Sequence, residues 1–260
     1  MKAIVAVAYG LASYFFFAGT FLYMIGFVSN SFVPKSIDSG APVPLAEALV
    51  VNLLLLGVFA VQHSVMARPA FKRWWTRIVP ESVERSTYVL AATLALALLM
   101  WQWRPIAQPV IWSVENLEVS ISLKNLFWIG WAVLLTSTFL INHFELFGLR
   151  QVFARLLDRK IPEPEFRTPF LYRYVRHPIY LGFLMSFWAT PHMSAGHLLF
   201  ALGTTGYILV GIYFEERDLV AQFGNRYRLY KQQVGMLLPW VARRDKVRLR
   251  DVPQARAGHD

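Results

Sequence analysis

The chain has 260 residues, 56% of them hydrophobic and only 16% charged, with a mean hydropathy of +0.40. So little charge over that length argues against a soluble domain, and the absence of cysteine excludes disulfides, thiolate catalysis and thiolate-held zinc or iron–sulfur sites. The net charge of +10 lies between and after apolar runs, where it orients a membrane protein and meets anionic lipid, so nucleic-acid binding is not expected.

Several windows exceed eighteen nearly uncharged residues, enough to cross about 30 Å of hydrocarbon. The alternating segments of about ten residues that a membrane barrel requires are missing. The expected fold is all-α and polytopic. The first apolar run, 3–28, is too long for a signal-peptide core and reads as an anchor. A Pro-rich connector leads to a second span over about 45–66, then to the basic linker "ARPAFKRWWTRIVPESVERS", whose tryptophans suit the headgroup layer. A third span is expected over about 87–103 and a fourth over about 122–143. The polar stretch 144–177 follows. From Ile179 to Phe214 no formal charge occurs, and "ATPHMSAGH" interrupts this run with Pro and Gly. A tight helical hairpin results, its first arm shorter than the bilayer is thick.

The linker 67–86, the stretch 144–177, residues 215–260 and Lys2 together hold 23 of the 26 Lys and Arg residues. The positive-inside rule then puts both termini in the cytoplasm, with six crossings: five full spans and the short arm. Three regions are expected: an N-terminal four-helix region 1–143 on the substrate side, a cofactor-binding hairpin and lid over 144–240, and a basic flexible tail over 241–260.

In this topology Gln62, His63, Asn142, His143, Glu145, Arg176, His177, Tyr180, Glu215, Glu216 and Arg217 all fall in one layer at the cytoplasmic ends of four segments. Taken singly, a histidine at a helix end is more often hydrogen-bonded or snorkelling than a ligand. Taken together, ionisable groups from distant stretches define a candidate site. Glu145 lies three residues after Asn142, on one helix face. Arg176 and the hairpin-closing glutamates are the expected charge pair, read either as a structural ion pair or as a pocket for a small zwitterion. No metal is expected: "HFE" and "EER" lack di-metal Glu-x-x-His spacing, and the H-E-x-x-H helix is absent.

"RHPIYLG" (176–182), "EERDL" (215–219), "GNRYRLY" (224–230) and "VGMLLPW" (234–240), in that order, resemble the isoprenylcysteine carboxyl methyltransferase and phospholipid methyltransferase superfamily, integral membrane enzymes that use S-adenosylmethionine (SAM). "QHSVMARPAFKRWW" (62–75) and "NHFELFGLRQVF" (142–153) resemble the bacterial methanethiol S-methyltransferases, which make dimethyl sulfide. The resemblance implies an enzyme of the bacterial inner membrane acting on a small volatile thiol. It implies that His177 and Tyr180 contact the methionine moiety of SAM, that Arg176, Glu215 and Glu216 close the same pocket, and that Gly224, Tyr227 and Tyr230 form a lid over the adenosine, packed down by Leu237, Leu238 and Pro239. Two other acceptors or activities compete with this reading: a larger lipophilic methyl acceptor, such as a prenylcysteine carboxylate or lipid amine, and a nicotinamide-dependent reductase.

Methyl transfer to a thiol is an in-line displacement that requires alignment and exclusion of water. The thiolate is the reactive form, so a neutral histidine accepting the proton would help. His143 and His63 are the candidates, with Glu145 or Asn142 orienting them. Phe139, Phe144 and Phe147 are expected to wall a narrow aromatic gap for the thiol, ordinary helix packing being the competing reading.

Overall fold

The computed structural model describes residues 2–162 and 165–239; the tail expected over 241–260 lies outside them. Among the described residues five helices are long and apolar enough to span a membrane: α1 (Ala3–Ser29), α2 (Leu45–Ala67), α4 (Glu81–Gln102), α5 (Leu117–Ile141) and α9 (Ala195–Phe223). The shorter helices are α3 (Pro69–Trp75), α6 (His143–Leu146), α7 (Leu149–Leu156), α8 (Pro178–Trp188) and α10 (Asn225–Gln233).

Local chemistry sets the helix ends. The Asn116 side chain accepts from the Val119 N–H at the start of α5, and Ser194 accepts from the His197 N–H at the start of α9. Asn30, in the left-handed region (φ 55°), closes α1 by donating its N–H to the Gly26 carbonyl. Pro178 opens α8 at the first helical position, where a missing N–H is harmless. Eleven residues at 1.5 Å rise give α8 about 16 Å, half a bilayer. The short arm expected from the sequence is present.

The helices pack in two groups joined by α9. In one, α4 lies between α1 and α2, with α7 against α1. In the other, α5 and α8 approach closely through two glycines: a Cβ on Gly182 would sit 2.6 Å from the Gly130 carbonyl oxygen. Phe27, Leu99, Trp103, Trp131, Phe187 and Phe200 fill the core between the groups.

The connectors after α1, α4 and α8 meet at one end of the bundle. Trp103 donates its indole N–H to the Ile37 carbonyl at 3.1 Å, and the Asn52 amide bonds both backbone groups of Arg104 at 2.7 and 2.8 Å. Here the helical fold carries one short addition: β1 (Val110–Ser113) pairs antiparallel with β2 (His192–Ser194). The breakers in "ATPHMSAGH" permit extended backbone, and strand pairing satisfies the polar groups that a helix would otherwise have bonded. The opposite end gathers the linker after α2, residues 142–162 and 165–177, and α10. Both described ends of the chain lie there, consistent with an even number of crossings. Glu216 is 21 residues into α9, about 31 Å from its start, so the charged end sits one hydrocarbon thickness from the ribbon.

Three boundaries differ from the sequence reading. The third and fourth spans begin earlier, at Glu81 and Leu117, because acidic residues are favourable in a first helical turn. The helix carrying the fourth span ends at Ile141. Asn142 is extended (φ 173°), and α6 restarts at His143.

Candidate active site

Glu216 is the hub of the charged end. Its carboxylate accepts from Arg176 Nε at 2.7 Å, His177 Nε2 at 3.2 Å and Lys231 Nζ at 2.6 Å. The Arg176 and Glu216 side chains are each only 10% exposed. Two charges so far from water persist only when their remaining donors and acceptors are matched, and they are: Arg176 Nη1 donates to the carbonyls of Lys231 (3.0 Å) and Val234. The backbone supports the same junction. Arg176 and His177 donate their N–H groups to the carbonyls of Gly235 (2.9 Å) and Met236 (3.1 Å), beside a parallel bridge from Val175 to Gly235. The charge pair expected from the sequence therefore forms, and it ties α8, α9 and α10 together.

Glu215, the neighbouring carboxylate, is more open at 42% side-chain exposure. It accepts from the Tyr180 hydroxyl at 2.9 Å and lies 3.9 Å from His177 Nδ1. A carboxylate with two oxygens and one strong donor keeps capacity for a ligand ammonium or sulfonium group. The N–H groups in the first turn of α8 offer a complementary place for a carboxylate. This donor set fits the methionine moiety of a sulfonium cofactor.

Tyr227 and Tyr230 are buried rather than spread over an open pocket. Phe166 packs on both rings, with centroids at 6.0 and 5.4 Å, and the Tyr230 hydroxyl donates to the Tyr172 carbonyl. Burial pushes the phenols of Tyr172, Tyr227 and Tyr230 up, so they stay neutral. Gly224 takes φ 56° and turns the chain from α9 into α10. Leu238 is exposed, so it does not pack the lid segment down as the sequence reading expected. The segment is held instead by its backbone pairing to Arg176 and His177.

The two histidines lie in separate clusters. His143 is buried between α1 and α5, with Nε2 2.9 Å from the Tyr14 hydroxyl and Nδ1 2.9 Å from Thr138 Oγ1. Because Thr138 donates its own hydrogen to the Leu135 carbonyl at 2.7 Å, Nδ1 carries the proton and Nε2 accepts from Tyr14. Burial lowers the His143 pKa. The three phenylalanines do surround this ring: Phe139 stacks on it at 4.2 Å, with Phe147 at 4.8 Å and Phe144 at 5.5 Å. Glu145 and Asn142 do not orient it. Asn142 Nδ2 donates to Glu145 at 2.5 Å, and Arg150 pairs with the same carboxylate. Glu145 shares the single turn of α6 with His143 but stands two residues on, turned away from the ring.

His63, near the end of α2, has Nε2 2.9 Å from the Tyr88 hydroxyl of α4. Phe59 stacks on its ring at 5.4 Å, and Tyr207 of α9 meets it edge-on at 6.2 Å. Its Nδ1 is out of solvent with no partner among the described residues. Tyr88 and Tyr207 are also electrostatic neighbours of Tyr180, so this cluster adjoins the Glu215 carboxylate.

A family model described as NnrU protein matches residues 51–237, nearly three quarters of the chain. The chain belongs to the NnrU family. The chain is 58% identical, over 94% of its own length and 99% of the relative's, to a protein named methanethiol S-methyltransferase from Mycobacterium tuberculosis. It is 53% identical, over 90% of this chain and 89% of the relative, to one of the same name from Pseudomonas deceptionensis. Nurim of Danio rerio is 31% identical over 71% of this chain and 70% of the relative. No solved structure matches.

The stretch matched to the NnrU family holds His63, His143 and the whole Arg176–Glu216 cluster, but not Tyr14. Sequence reasoning missed Tyr14, Tyr88, Thr138, Tyr172, Tyr207 and Lys231. Lys231 adjoins the block 224–230, and that adjacency was a usable signal. Tyr14, Tyr88 and Tyr207 carried none, because a tyrosine inside an apolar span reads as packing.

Proposed function

We propose that this chain methylates methanethiol to dimethyl sulfide, with SAM as methyl donor, at the cytoplasmic end of its helical bundle. The observation that carries this reading is the 58% identity to a protein named methanethiol S-methyltransferase over nearly the full length of both chains. The charge layout supports a cytoplasmic site, since the basic linkers share its end of the bundle. The bacterial sources of the similar enzymes support the inner membrane.

In this reading SAM supplies an electrophilic methyl group on a sulfonium. Glu215 and Tyr180 hold its cationic end, and the start of α8 holds its carboxylate. His177 links the two glutamates and keeps that end of α8 fixed against α9. Glu216, paired with Arg176 and Lys231 and accepting from His177, braces the pocket wall. The thiol reaches the site from the lipid, where a small apolar molecule partitions, and a neutral histidine takes its proton.

The test is direct. Protein purified in detergent is given SAM and methanethiol, and the headspace is assayed for dimethyl sulfide. Accumulation dependent on both reagents is expected. Absence of product, with methyl label appearing in a lipid extract, would replace methanethiol by a lipophilic acceptor.

A further inference from the structure

Of the two histidines able to take a proton, the structure leaves one with a lone pair to spare. His143 has both ring nitrogens engaged, and its single lone pair already accepts the Tyr14 hydroxyl. Among the described residues His63 is engaged only at Nε2. Of its two tautomers, the one with Nε2–H donating to the Tyr88 oxygen leaves Nδ1 bare as an acceptor, and this is the form a base requires; the other places an N–H at Nδ1 with no acceptor among the described residues.

The surroundings suit a small apolar thiol. Phe59 covers one face of the imidazole and Tyr207 bounds its edge. The titratable and charged groups facing the ring are Tyr88 and Arg85 from α4 and Tyr207 from α9, with Tyr180 of α8 beyond the two tyrosines. No carboxylate contacts the ring among the described residues. Tyr180 leads directly to Glu215 at 2.9 Å, so this base lies on the cofactor side of the bundle.

We propose that His63 Nδ1 accepts the thiol proton and that Tyr88 is the positioning residue that sets its tautomer; this rests on the methyltransferase reading above. The S–H bond breaks, its proton passes to Nδ1, and the freed electron pair on sulfur forms the new S–CH₃ bond. The bond between the donor's sulfonium sulfur and its methyl breaks, its electron pair leaving on a neutral thioether. Dimethyl sulfide, the demethylated donor and an imidazolium result, and the imidazolium returns its proton to solvent.

A base role predicts a defect that vanishes when the thiolate is supplied ready-made. In His63→Gln, dimethyl sulfide formation at pH 7 should fall at least 30-fold, rise about tenfold per pH unit, and rejoin the parent near the pKa of the thiol, while labelled-SAM affinity stays within twofold. With an acidic aromatic thiol, already ionised at pH 7, the variant should match the parent. Tyr88→Phe should lower kcat three- to tenfold without changing KM for SAM. In ¹⁵N-histidine NMR of the donor-free protein, His63 should be the Nε2–H tautomer, and Tyr88→Phe should disturb it.

Parent-like activity of His63→Gln at pH 7, a loss that persists at every pH, or the pH-dependent defect appearing in His143→Gln instead would each overturn the proposal. Failure of the parent itself to make dimethyl sulfide would overturn the functional reading, and an Nδ1–H tautomer would still overturn this one.

Discussion

Glu216 joins three cationic or donor side chains that come from a loop, a helix start and the final helix. Glu216→Gln leaves Arg176 and Lys231 without their countercharge in a nearly dry site, and removing one partner of such a pair costs about 3–5 kcal/mol. A clear drop in thermal midpoint in detergent should report it. His177→Ala spares the Arg176–Glu216 contact but removes the link to Glu215. SAM affinity should weaken at least tenfold, about 1.4 kcal/mol, by equilibrium binding. His143 makes a separate, pH-dependent contribution. Burial lowers its folded-state pKa below the ordinary value of about 6.5, so below that pH the unfolded chain binds the extra proton and the folded chain does not. Stability is therefore present above about pH 6.5 and is lost as pH falls through that value. Thermal midpoints measured from pH 8 to pH 5 should decline for the parent and decline less steeply for His143→Gln. These side chains were legible as a set, since their residue types recur at the ends of apolar runs. The pairing of Arg176 with a hairpin-closing glutamate was legible too, but others were not: Glu145 with Arg150 and His143 with Tyr14 depend on where the helix breaks at Asn142.

At the scale of elements, the contact that positions the site is α5 against α8. Gly130 and Gly182 bring the two backbones close, and Ser186 donates across to the Phe127 carbonyl at 3.2 Å. A methyl at Gly182 would meet the Gly130 oxygen at 2.6 Å and Leu134 Cβ at 2.8 Å, with backbone rather than a flexible tip in the way. Gly182→Ala should cost about 1–3 kcal/mol by overpacking, and it should weaken SAM binding as well, because Pro178 and His177 ride on the displaced helix. A stability loss with SAM affinity intact would separate the packing of α8 from the site at its start. The short arm itself was legible, because 36 uncharged residues cannot form two full spans with a loop. The ribbon was not. Its strands lie more than seventy residues apart in sequence, and neither run, four and three residues long, carries a strand period.

For the whole molecule, the bundle has a ribbon-tied end and a charged end, and the positive-inside rule assigns the charged end to the cytoplasm. A chain without cysteine makes this easy to check. A single cysteine introduced at Thr168 should be modified by a membrane-impermeant thiol reagent only in inverted vesicles, and one at Glu115 only in right-side-out vesicles. The reverse pattern would place the site outside, away from the cytosolic supply of SAM.

The sequence by itself determined the class of this protein, the number of long spans and the depth at which its ionisable residues lie, because hydropathy and charge are read locally by the bilayer. Its motifs also determined the methyltransferase resemblance. Only the tertiary structure decided that Lys231 joins the Arg176–Glu216 pair, that Tyr14 and Thr138 engage His143, and that the Nδ1 of His63 has no partner among the described residues. Those outcomes depend on hydrogen-bond geometry between helices remote in sequence, and each such donor or acceptor can be matched only once its neighbours across the bundle are in place.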